Sequence, residues 1–283
     1  MESENQVNRL KPLNIREVFT QKSPRLARLM PGFVFTLIHR IMRLDFLNGF
    51  ITRYGHLTGM DFVQASVTDF EISEEVFGSD NIPDSGSFIF AGNHPLGGFD
   101  ALLLMKYVFG KLGKLKFLAN DVLMSITPLR PLFVPVNHHG SNSRDTARVL
   151  METYLSGAQI LIFPSGLASR KIHGKIVDLT WQKHFISKAI EYRRDVIPVF
   201  ISGRNSNFFY LVANWRKRLG IKWNLEMFLL PDETYRHRKK KIRLIFGKPI
   251  PYTTFDKSRS HLQWAEFVKN RVYELPKQYE SRN

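Results

Sequence analysis

The residues best suited to chemistry lie in the segment FIFAGNHPLGGFD, which spans residues 88–100. An apolar run places His94 at the carboxyl end of a predicted strand. Gly97 and Gly98 then favour a turn before Asp100 opens the next helix. A carboxylate bonded to one imidazole nitrogen fixes the tautomer and raises the basicity of the other nitrogen, which can then take a proton from an attacking hydroxyl. The segment therefore indicates a His–Asp general-base pair.

The same two residues also have a purely structural interpretation. An Asp in front of an apolar helix is a preferred N-cap, and the tripeptide NHP is ordinary turn chemistry. A single His followed six residues later by Asp is compatible with both interpretations, and one carboxylate could serve as cap and orienter together. The residue pattern alone leaves this choice open.

Other polar residues give weaker signals. Arg170 and Lys171 follow the turn FPSG, where they could face a carboxylate or phosphate or form a solvated surface pair. His138 and His139 have no third ligand at suitable spacing, so we predict no metal site. The chain has no cysteine, which excludes a thiolate nucleophile, and no serine has the G-x-S-x-G context of a nucleophile elbow.

The elements that must position these residues alternate between β-rich runs and helical stretches from Ser66 to Ile250, a pattern typical of an α/β domain. We predict a single mixed, largely parallel sheet flanked by helices, with ligands at the carboxyl ends of its strands. The predicted strands are Val67–Ile72, Ser87–Ala91, Leu115–Ala119, Leu132–Val136, Gln159–Phe163, Val196–Ile201 and Lys241–Phe246. The predicted helices are Ala101–Phe109, Ser143–Tyr154 and Trp181–Tyr192.

The amino-terminal part of the chain differs in composition from the rest. Residues 1–22 are polar, lack the pattern of a secretory signal and are predicted to form a mobile arm. Residues 23–65 are predicted to form an amphipathic helical, membrane-associating segment, and residues 66–283 the α/β domain. In that segment Phe33, Leu37, Ile41 and Leu44 recur at helical spacing among Arg25, Arg28, Arg40 and Arg43. Such helices could lie in a bilayer interface or pack on the core.

The charge of the chain restricts its partners. It carries 41 Lys and Arg against 25 Asp and Glu, a net charge of +16 over 283 residues. Polyanions, anionic lipid surfaces and acidic carrier proteins are therefore expected partners. One alternative is a nucleic-acid binder, since Trp215, Trp223 and Tyr235 lie among Arg and Lys residues. No nucleic-acid-binding motif accompanies them, and we predict no nucleic-acid partner.

Four motifs in the same order resemble those of the glycerolipid and lysophospholipid acyltransferase superfamily. The segment with His94 and Asp100 is similar to its first motif, a His-x4-Asp signature after a strand. The segments similar to the second, third and fourth motifs are Leu129–Asn137, Ile160–Lys171 and Val196–Gly203, and Gly247–Ile250 matches the usual end of the catalytic domain. The resemblance covers residues 66–250.

This resemblance implies a direct acyl transfer without an acyl-enzyme. His94 would activate the hydroxyl of a lysolipid acceptor, which attacks an acyl thioester on acyl carrier protein or coenzyme A, and no other cofactor is expected. Backbone N–H groups of the glycine turn are candidate donors to the oxyanion. The implied catalytic residues are His94 and Asp100, and the implied substrate-binding residues are Asn93, Gly97, Gly98, Asn137, Ser165, Gly166, Arg170 and Lys171. An esterase that uses water at the same His94 is a further alternative.

The chain departs from the family pattern in ways that bear on the acceptor. His94 and Asp100 have five residues between them instead of four, a variant similar to one bacterial branch. Ser165 replaces a common Glu and Asn137 a common Arg, at family positions associated with the phosphate and glycerol of the acceptor. The string FPSGLASRK is similar to that of the branch that O-acylates lyso-amino-acid lipids such as lyso-glycine or lyso-ornithine lipid. We therefore expect an acceptor other than glycerol 3-phosphate. A lipid acceptor implies a peripheral enzyme at a membrane, and we expect it at the cytoplasmic face of the inner membrane.

Overall fold

A seven-stranded sheet organises the protein, whose computed structural model describes residues 14–22, 24–120, 123–136, 143–221 and 224–280. The strand order is β1-β9-β8-β2-β5-β3-β4, and every neighbouring pair is parallel except β8 and β9. The strands are β1 Ser73–Phe77, β2 Ile89–Gly92, β3 Leu115–Ala119, β4 Phe133–Pro135, β5 Gln159–Ile162, β6 Arg170–Ile172, β7 Lys175–Val177, β8 Val196–Ile201 and β9 Lys241–Phe246. Strands β6 and β7 form a separate antiparallel hairpin. The predicted mixed, largely parallel sheet is confirmed.

Helices flank the sheet and fill the connections. They are α1 Ile15–Lys22, α2 Pro24–Leu29, α3 Gly32–Ile41, α4 Leu44–Tyr54, α5 Gly59–Asp69, α6 Gly98–Leu112, α7 Ser143–Leu155, α8 His184–Glu191, α9 Asn207–Arg218, α10 Leu230–Arg236 and α11 His261–Glu280. Short 3-10 helices cover Ser79–Asn81, Leu123–Ser125, Thr127–Leu132, Leu225–Leu229 and Tyr252–Thr254. Parallel strands need such crossover connections, which cover both faces of the sheet.

The two faces of the sheet support two hydrophobic clusters. Alternate residues of the central strand β2 point to opposite faces, so Phe90 packs with Phe99 and Leu103 of α6. Ile89 packs on the other face with Phe185 of α8 and with residues of α11. All four residues of β2 are buried. The strand that precedes His94 is therefore fixed from both sides.

One predicted strand is wrong. The first two-thirds of the range Val67–Ile72 complete α5 or cap it, and the edge strand β1 begins at Ser73. The buried residues Val63, Val67 and Phe70 recur at helical spacing, and this face of α5 packs on the core. The strand itself has the sequence SEEVF, whose two glutamates suit an edge position but hide its β character.

The amino-terminal segment is helical, and its helices differ in how far they are buried. Ile15–Lys22, part of the predicted arm, forms helix α1, and residues 1–13 lie outside the described part of the chain. Helix α4 packs on the core through Phe46 and Phe50. Helix α3 instead leaves Phe33 and Leu37 exposed, at 71% and 52%. Within the described residues, none of the helices has the length and apolar character needed to cross a bilayer.

Candidate active site

The turn after β2 folds an acid back onto a histidine. Strand β2 ends at Gly92, so His94 emerges at the carboxyl edge of the sheet. Gly97 has φ +89°, a backbone conformation that favours glycine, and α6 begins at the next residue. This bend brings Asp100 from the first turn of α6 to the imidazole, and His94 Nδ1 lies 2.9 Å from Asp100 Oδ2.

Asp100 acts as turn cap and orienter together. The same Oδ2 accepts the N–H of Leu96 at 2.8 Å and that of Gly97 at 3.0 Å. Because Nδ1 faces a carboxylate, it carries the proton, and Nε2 is left with the lone pair of a base. Burial raises the pKa of the Asp100 carboxyl, while the imidazole and the two amide donors act in the opposite direction. The imidazole is 18% exposed and the carboxylate fully buried, so only the base can reach a substrate.

An aromatic ring from the next strand holds the plane of the imidazole. Phe163 follows β5 and stacks on His94 with a centroid distance of 4.4 Å and an interplanar angle of 20°. Phe163 in turn meets the edge of Phe117 in β3 at 5.4 Å. The ring of His94 is thus fixed by packing as well as by its hydrogen bond.

A second buried acid holds the backbone of His94. Asp178 Oδ1 accepts the His94 N–H at 3.2 Å and the hydroxyl of Ser169 at 2.6 Å. The carbonyl of His94 accepts the N–H of Ser169 at 2.7 Å. Both polar groups of the His94 backbone are therefore bonded, one to the third-motif segment and one to the residue Asp178 that follows it.

The structure gives Asn93 a role different from the predicted substrate contact. Its Nδ2 donates to the carbonyl of Ile201 at 2.9 Å, and its Oδ1 accepts the N–H of Ile201 at 2.7 Å. The side chain is buried and extends the pairing of β2 with β8. Both of its polar groups bind the chain itself, so Asn93 positions the strand end that carries His94.

Arg170 also departs from the predicted substrate contact. Its guanidinium is buried and pairs with Glu226 at 2.6 Å, and Arg216 of α9 meets the other oxygen of that carboxylate at 2.8 Å. Burial lowers the pKa of Arg170, and Glu226 opposes that change. Lys171, the next residue, is exposed on the β6–β7 hairpin. Of the two predicted cations, only Lys171 is open to an acidic group.

The remaining predicted residues lie near the turn or outside the described chain. Ser165 is buried and donates its hydroxyl to the carbonyl of Leu167 at 2.9 Å, and Gly166 has φ +67°. Gly97 gives its N–H to Asp100, so that group is not free for an oxyanion, whereas the N–H of Gly98 belongs to the first turn of α6, which has no intrahelical acceptor. The predicted Asn137, together with His138 and His139, lies outside the described residues.

The described residues contain no group of three or more His, Asp or Glu side chains arranged to hold a metal ion. The arrangement that is present is an imidazole with one free nitrogen, a buried acid behind it and a glycine turn beside it. Such a site can deprotonate a hydroxyl and return the proton to a leaving group.

Comparisons with known proteins define the class. Residues 17–281 match the model of the acyltransferase family. The chain belongs to this family, and it is an O-acyltransferase.

Individual relatives match this chain over most of their length. A lyso-glycine lipid O-acyltransferase of Bacteroides thetaiotaomicron is 42% identical over 93% of this chain and 97% of its own length. One of Phocaeicola vulgatus, with the same name, is 41% identical over 93% of this chain and 95% of its own length. A crystal structure of the 1-acyl-sn-glycerophosphate acyltransferase PlsC from Thermotoga maritima covers 85% of this chain and 95% of that one, at 18% identity and a TM-score of 0.46.

Proposed function

We propose that the protein transfers a fatty acyl group from an acyl thioester to the hydroxyl of a lysolipid, with lyso-glycine lipid as the acceptor. The observation that carries this proposal is the 2.9 Å pair of His94 and Asp100 at the carboxyl edge of the sheet. The nearly full-length similarity to two proteins named lyso-glycine lipid O-acyltransferase supports the choice of acceptor.

In the proposed reaction the proton moves through one imidazole nitrogen. Nε2 of His94 takes the proton of the acceptor hydroxyl as that oxygen attacks the thioester carbonyl. A C–O bond forms, the tetrahedral intermediate collapses, and the C–S bond breaks. The imidazolium then returns its proton to the thiolate. The Asp100 carboxylate stabilises the transient positive charge on the ring, and the Gly98 N–H is the candidate donor to the oxyanion.

The third-motif loop supports an acceptor without a glycerol phosphate group. A bound phosphate monoester favours at least one free cation, typically an arginine. Here Arg170 is buried and its guanidinium is bonded to Glu226, and Ser165 bonds to its own loop. Lys171 remains available for the single carboxylate of a glycine headgroup.

The donor and the location are further parts of the proposal. An acyl group on acyl carrier protein suits the net charge of +16, because carrier proteins are acidic, and acyl-coenzyme A supplies the same thioester. Peripheral attachment to the cytoplasmic face of the inner membrane would bring the enzyme to its lipid acceptor. Phe33 and Leu37 on the outer face of α3 support such attachment.

An acyl-transfer assay tests the proposal. Labelled acyl carrier protein and acyl-coenzyme A would each be offered with lyso-glycine lipid, lyso-ornithine lipid, lysophosphatidate and glycerol 3-phosphate. We expect at least tenfold higher kcat/KM with a lyso-amino-acid lipid than with glycerol 3-phosphate. Efficient turnover of glycerol 3-phosphate would contradict the acceptor assignment. Release of free fatty acid without an acceptor, at the rate of transfer, would indicate the esterase instead.

The base role has its own control in this assay. His94→Ala should reduce transfer by ~10² to 10⁴, the usual contribution of a general base. Activity within tenfold of the wild type in a folded variant would refute that role.

A further inference from the structure

Helix α9 exposes a continuous apolar stripe that the reaction does not use. The stripe consists of Phe208, Leu211 and Trp215 of α9 and of Leu219, which caps its carboxyl end, exposed at 59%, 52%, 60% and 66%. These residues recur every three or four positions and share one side of the helix. The opposite side buries Phe209, Tyr210 and Ala213. Large apolar side chains grouped in this way on a surface mark an interaction site.

The charge around the stripe fits an anionic lipid surface. Helix α9 has no acidic residue, and its last turn carries three cations. Arg216 forms an ion pair with Glu226. Lys217 and Arg218 are exposed, and within the described chain neither forms an ion pair with a carboxylate. An apolar side beside free cations is the composition of a helix that lies in the headgroup region of a bilayer.

The stripe adjoins the exposed side of α3. Arg40 and Ile41 at the end of α3 line one surface depression together with Phe208 at the start of α9. Ile41 also packs on the hydrophobic cluster that contains Phe209. The exposed Phe33 of α3 and the stripe of α9 therefore extend from a shared point.

The same cluster adjoins the reacting residues. Ala168 packs with Phe209 beneath the stripe, and the next residue, Ser169, binds the carbonyl of His94. Leu230 belongs to the same cluster and faces Gly97, since a Cβ at that glycine would lie 3.0 Å from it. The stripe thus covers the elements that support the active-site turn.

We propose that α9 is a second membrane-contacting element, which lies with α3 in the interface of an anionic bilayer and brings the His94 turn to that surface. The inference rests on the proposed function, because it assumes an acceptor that resides in the membrane. It goes further by assigning the contact to a helix far from the amino terminus.

A vesicle-binding experiment on the full chain tests this assignment. The α9 variant carries Phe208→Ser, Leu211→Ser and Trp215→Ser. Its matched control carries Val149→Ser, Met151→Ser and Leu155→Ser on α7, which are also exposed, at 39%, 45% and 68%. Both would be compared with the wild type by cosedimentation with vesicles of 30% phosphatidylglycerol in phosphatidylcholine, after thermal unfolding has shown that they are folded.

We expect the α9 variant to bind at least tenfold more weakly and the α7 control within twofold of the wild type. When the wild type binds vesicles, Trp215 should give a blue-shifted fluorescence component that a quencher in the lipid reduces. Trp215→Phe should lack this component. Unchanged binding of the α9 variant would overturn the proposal. A raised KM for acyl carrier protein with unchanged vesicle binding would also overturn it, and would assign the stripe to the acidic protein.

A water-soluble, short-chain acceptor separates this inference from the proposed function. The wild type should acylate it without vesicles, and absence of that reaction would count against the acyltransfer proposal. Vesicle binding is measured independently of turnover, so the role of the stripe is decided in either case.

A separate observation concerns Asp178. Its Oδ1 binds the His94 N–H and the Ser169 hydroxyl, and its Oδ2 accepts the indole N–H of Trp181 at 2.8 Å. Its own N–H donates to the hydroxyl of Tyr273 in α11 at 2.8 Å. The side chain is 2% exposed and lies outside the reacting pair. Burial of a carboxylate costs free energy, and the three donors offset that cost only while the side chain keeps this geometry.

The geometry points to Asp178 as a positioning residue for the base. Oδ1 accepts the N–H of His94, and the N–H of Ser169 donates to the carbonyl of His94. The same Oδ1 accepts the hydroxyl of Ser169 and so orients that residue. The imidazole is then aimed by its backbone, and a small displacement of a base costs rate without loss of binding. Oδ2 serves a different purpose, because Trp181 belongs to the core beneath α8.

The two oxygens can be separated by mutation. Asp178→Ala removes both oxygens, and Trp181→Phe removes only the bond to Oδ2, so the difference between the two variants isolates Oδ1. Both should lower the melting temperature. Only Asp178→Ala should lower kcat, by about 10- to 100-fold, with KM changed less than threefold. Asp178→Asn, which can keep its carbonyl oxygen toward His94 and Ser169, should retain most of kcat. Equal kcat losses in Asp178→Ala and Trp181→Phe, or an unchanged kcat in folded Asp178→Ala, would reduce Asp178 to a structural residue.

Discussion

Asp100→Asn separates the orienting role of the acid from its charge. All three donors to Asp100 converge on Oδ2, namely His94 Nδ1, the Leu96 N–H and the Gly97 N–H. An asparagine can place its carbonyl oxygen at that position and keep all three bonds. Its amide nitrogen then takes the place of Oδ1, which has no hydrogen-bond partner among the described residues. The turn and the tautomer are kept, and only the negative charge is lost.

The lost charge sets the size of the expected effect on catalysis. A unit charge about 4 Å from an imidazolium contributes about 4 kcal/mol at an effective dielectric constant near 20. The amide dipole retains part of this stabilisation, so about 3–4 kcal/mol of transition-state stabilisation should disappear. Since about 1.4 kcal/mol corresponds to a factor of ten, kcat/KM should fall by about 10² to 10³.

The free energy of unfolding should not fall with the activity. Burial raises the pKa of Asp100, so the folded chain binds this proton more tightly than the unfolded chain. The charged form therefore costs folding free energy at pH values above the unfolded pKa near 4. The neutral amide removes that cost, and we expect a free energy of unfolding at pH 7 that is at least that of the wild type.

Urea denaturation and the acyl-transfer assay measure both effects on the same preparation. Asp195→Asn is the matched control, because its carboxylate accepts the Tyr252 N–H at 2.9 Å just ahead of β8, at the opposite edge of the sheet from His94. It should leave kcat/KM within twofold. Activity of Asp100→Asn within tenfold of the wild type would refute the role of the charge. A loss of activity together with more than about 2 kcal/mol of unfolding free energy would also refute it, because a loss of that size indicates an unsatisfied buried group.

Three further changes test other parts of the structure. Glu226→Gln leaves two guanidinium groups without their shared carboxylate and should cost about 3–5 kcal/mol in urea denaturation, whereas a loss below about 1 kcal/mol would show that the pair is dispensable. Burial lowers the pKa of His237 to about 4, so the unfolded chain gains a proton first as the pH falls. The free energy of unfolding should then drop by about 3 kcal/mol between pH 6.5 and 4, and His237→Asn should lose this slope. Gly203→Ala should cost about 1–3 kcal/mol, because φ is +127° there and the new Cβ would lie 2.5 Å from Leu96; a neutral effect in thermal unfolding would show that the loop can shift.

Local patterns were sufficient to bound three strands inside the sheet. The bounds predicted for β3, β8 and β9 agree with the structure, because each is a short apolar run bounded by turn residues. The same holds for the pair of His94 and Asp100, whose meeting depends only on the glycine turn between them. Features encoded within about a dozen residues were open to prediction.

Contacts between residues that are distant in the sequence could not be predicted from local patterns. Arg170 was predicted to face a ligand or solvent, but it is buried and bonded to Glu226, which lies 56 positions away in the sequence. Phe163 precedes a motif proline and gave no sign that it would stack on His94. Asp178 lies 84 positions from the backbone group that it binds. These contacts arise because parallel strands bring the ends of remote segments to one edge of the sheet, which no local pattern records.

The way in which the base is held bears on where specificity can reside. The carboxylate of α6, the ring after β5 and the backbone bonds from the segment around Ser169 each fix a different part of His94. A base with so few free directions cannot adapt to different acceptors, so the acceptor must be brought to it. The groups that can vary without disturbing this support are those outside it, namely the exposed Lys171 and the exposed sides of α3 and α9. Exchange of the acceptor should therefore follow changes in these surfaces, while changes in the support of His94 should lower the rate for every acceptor alike.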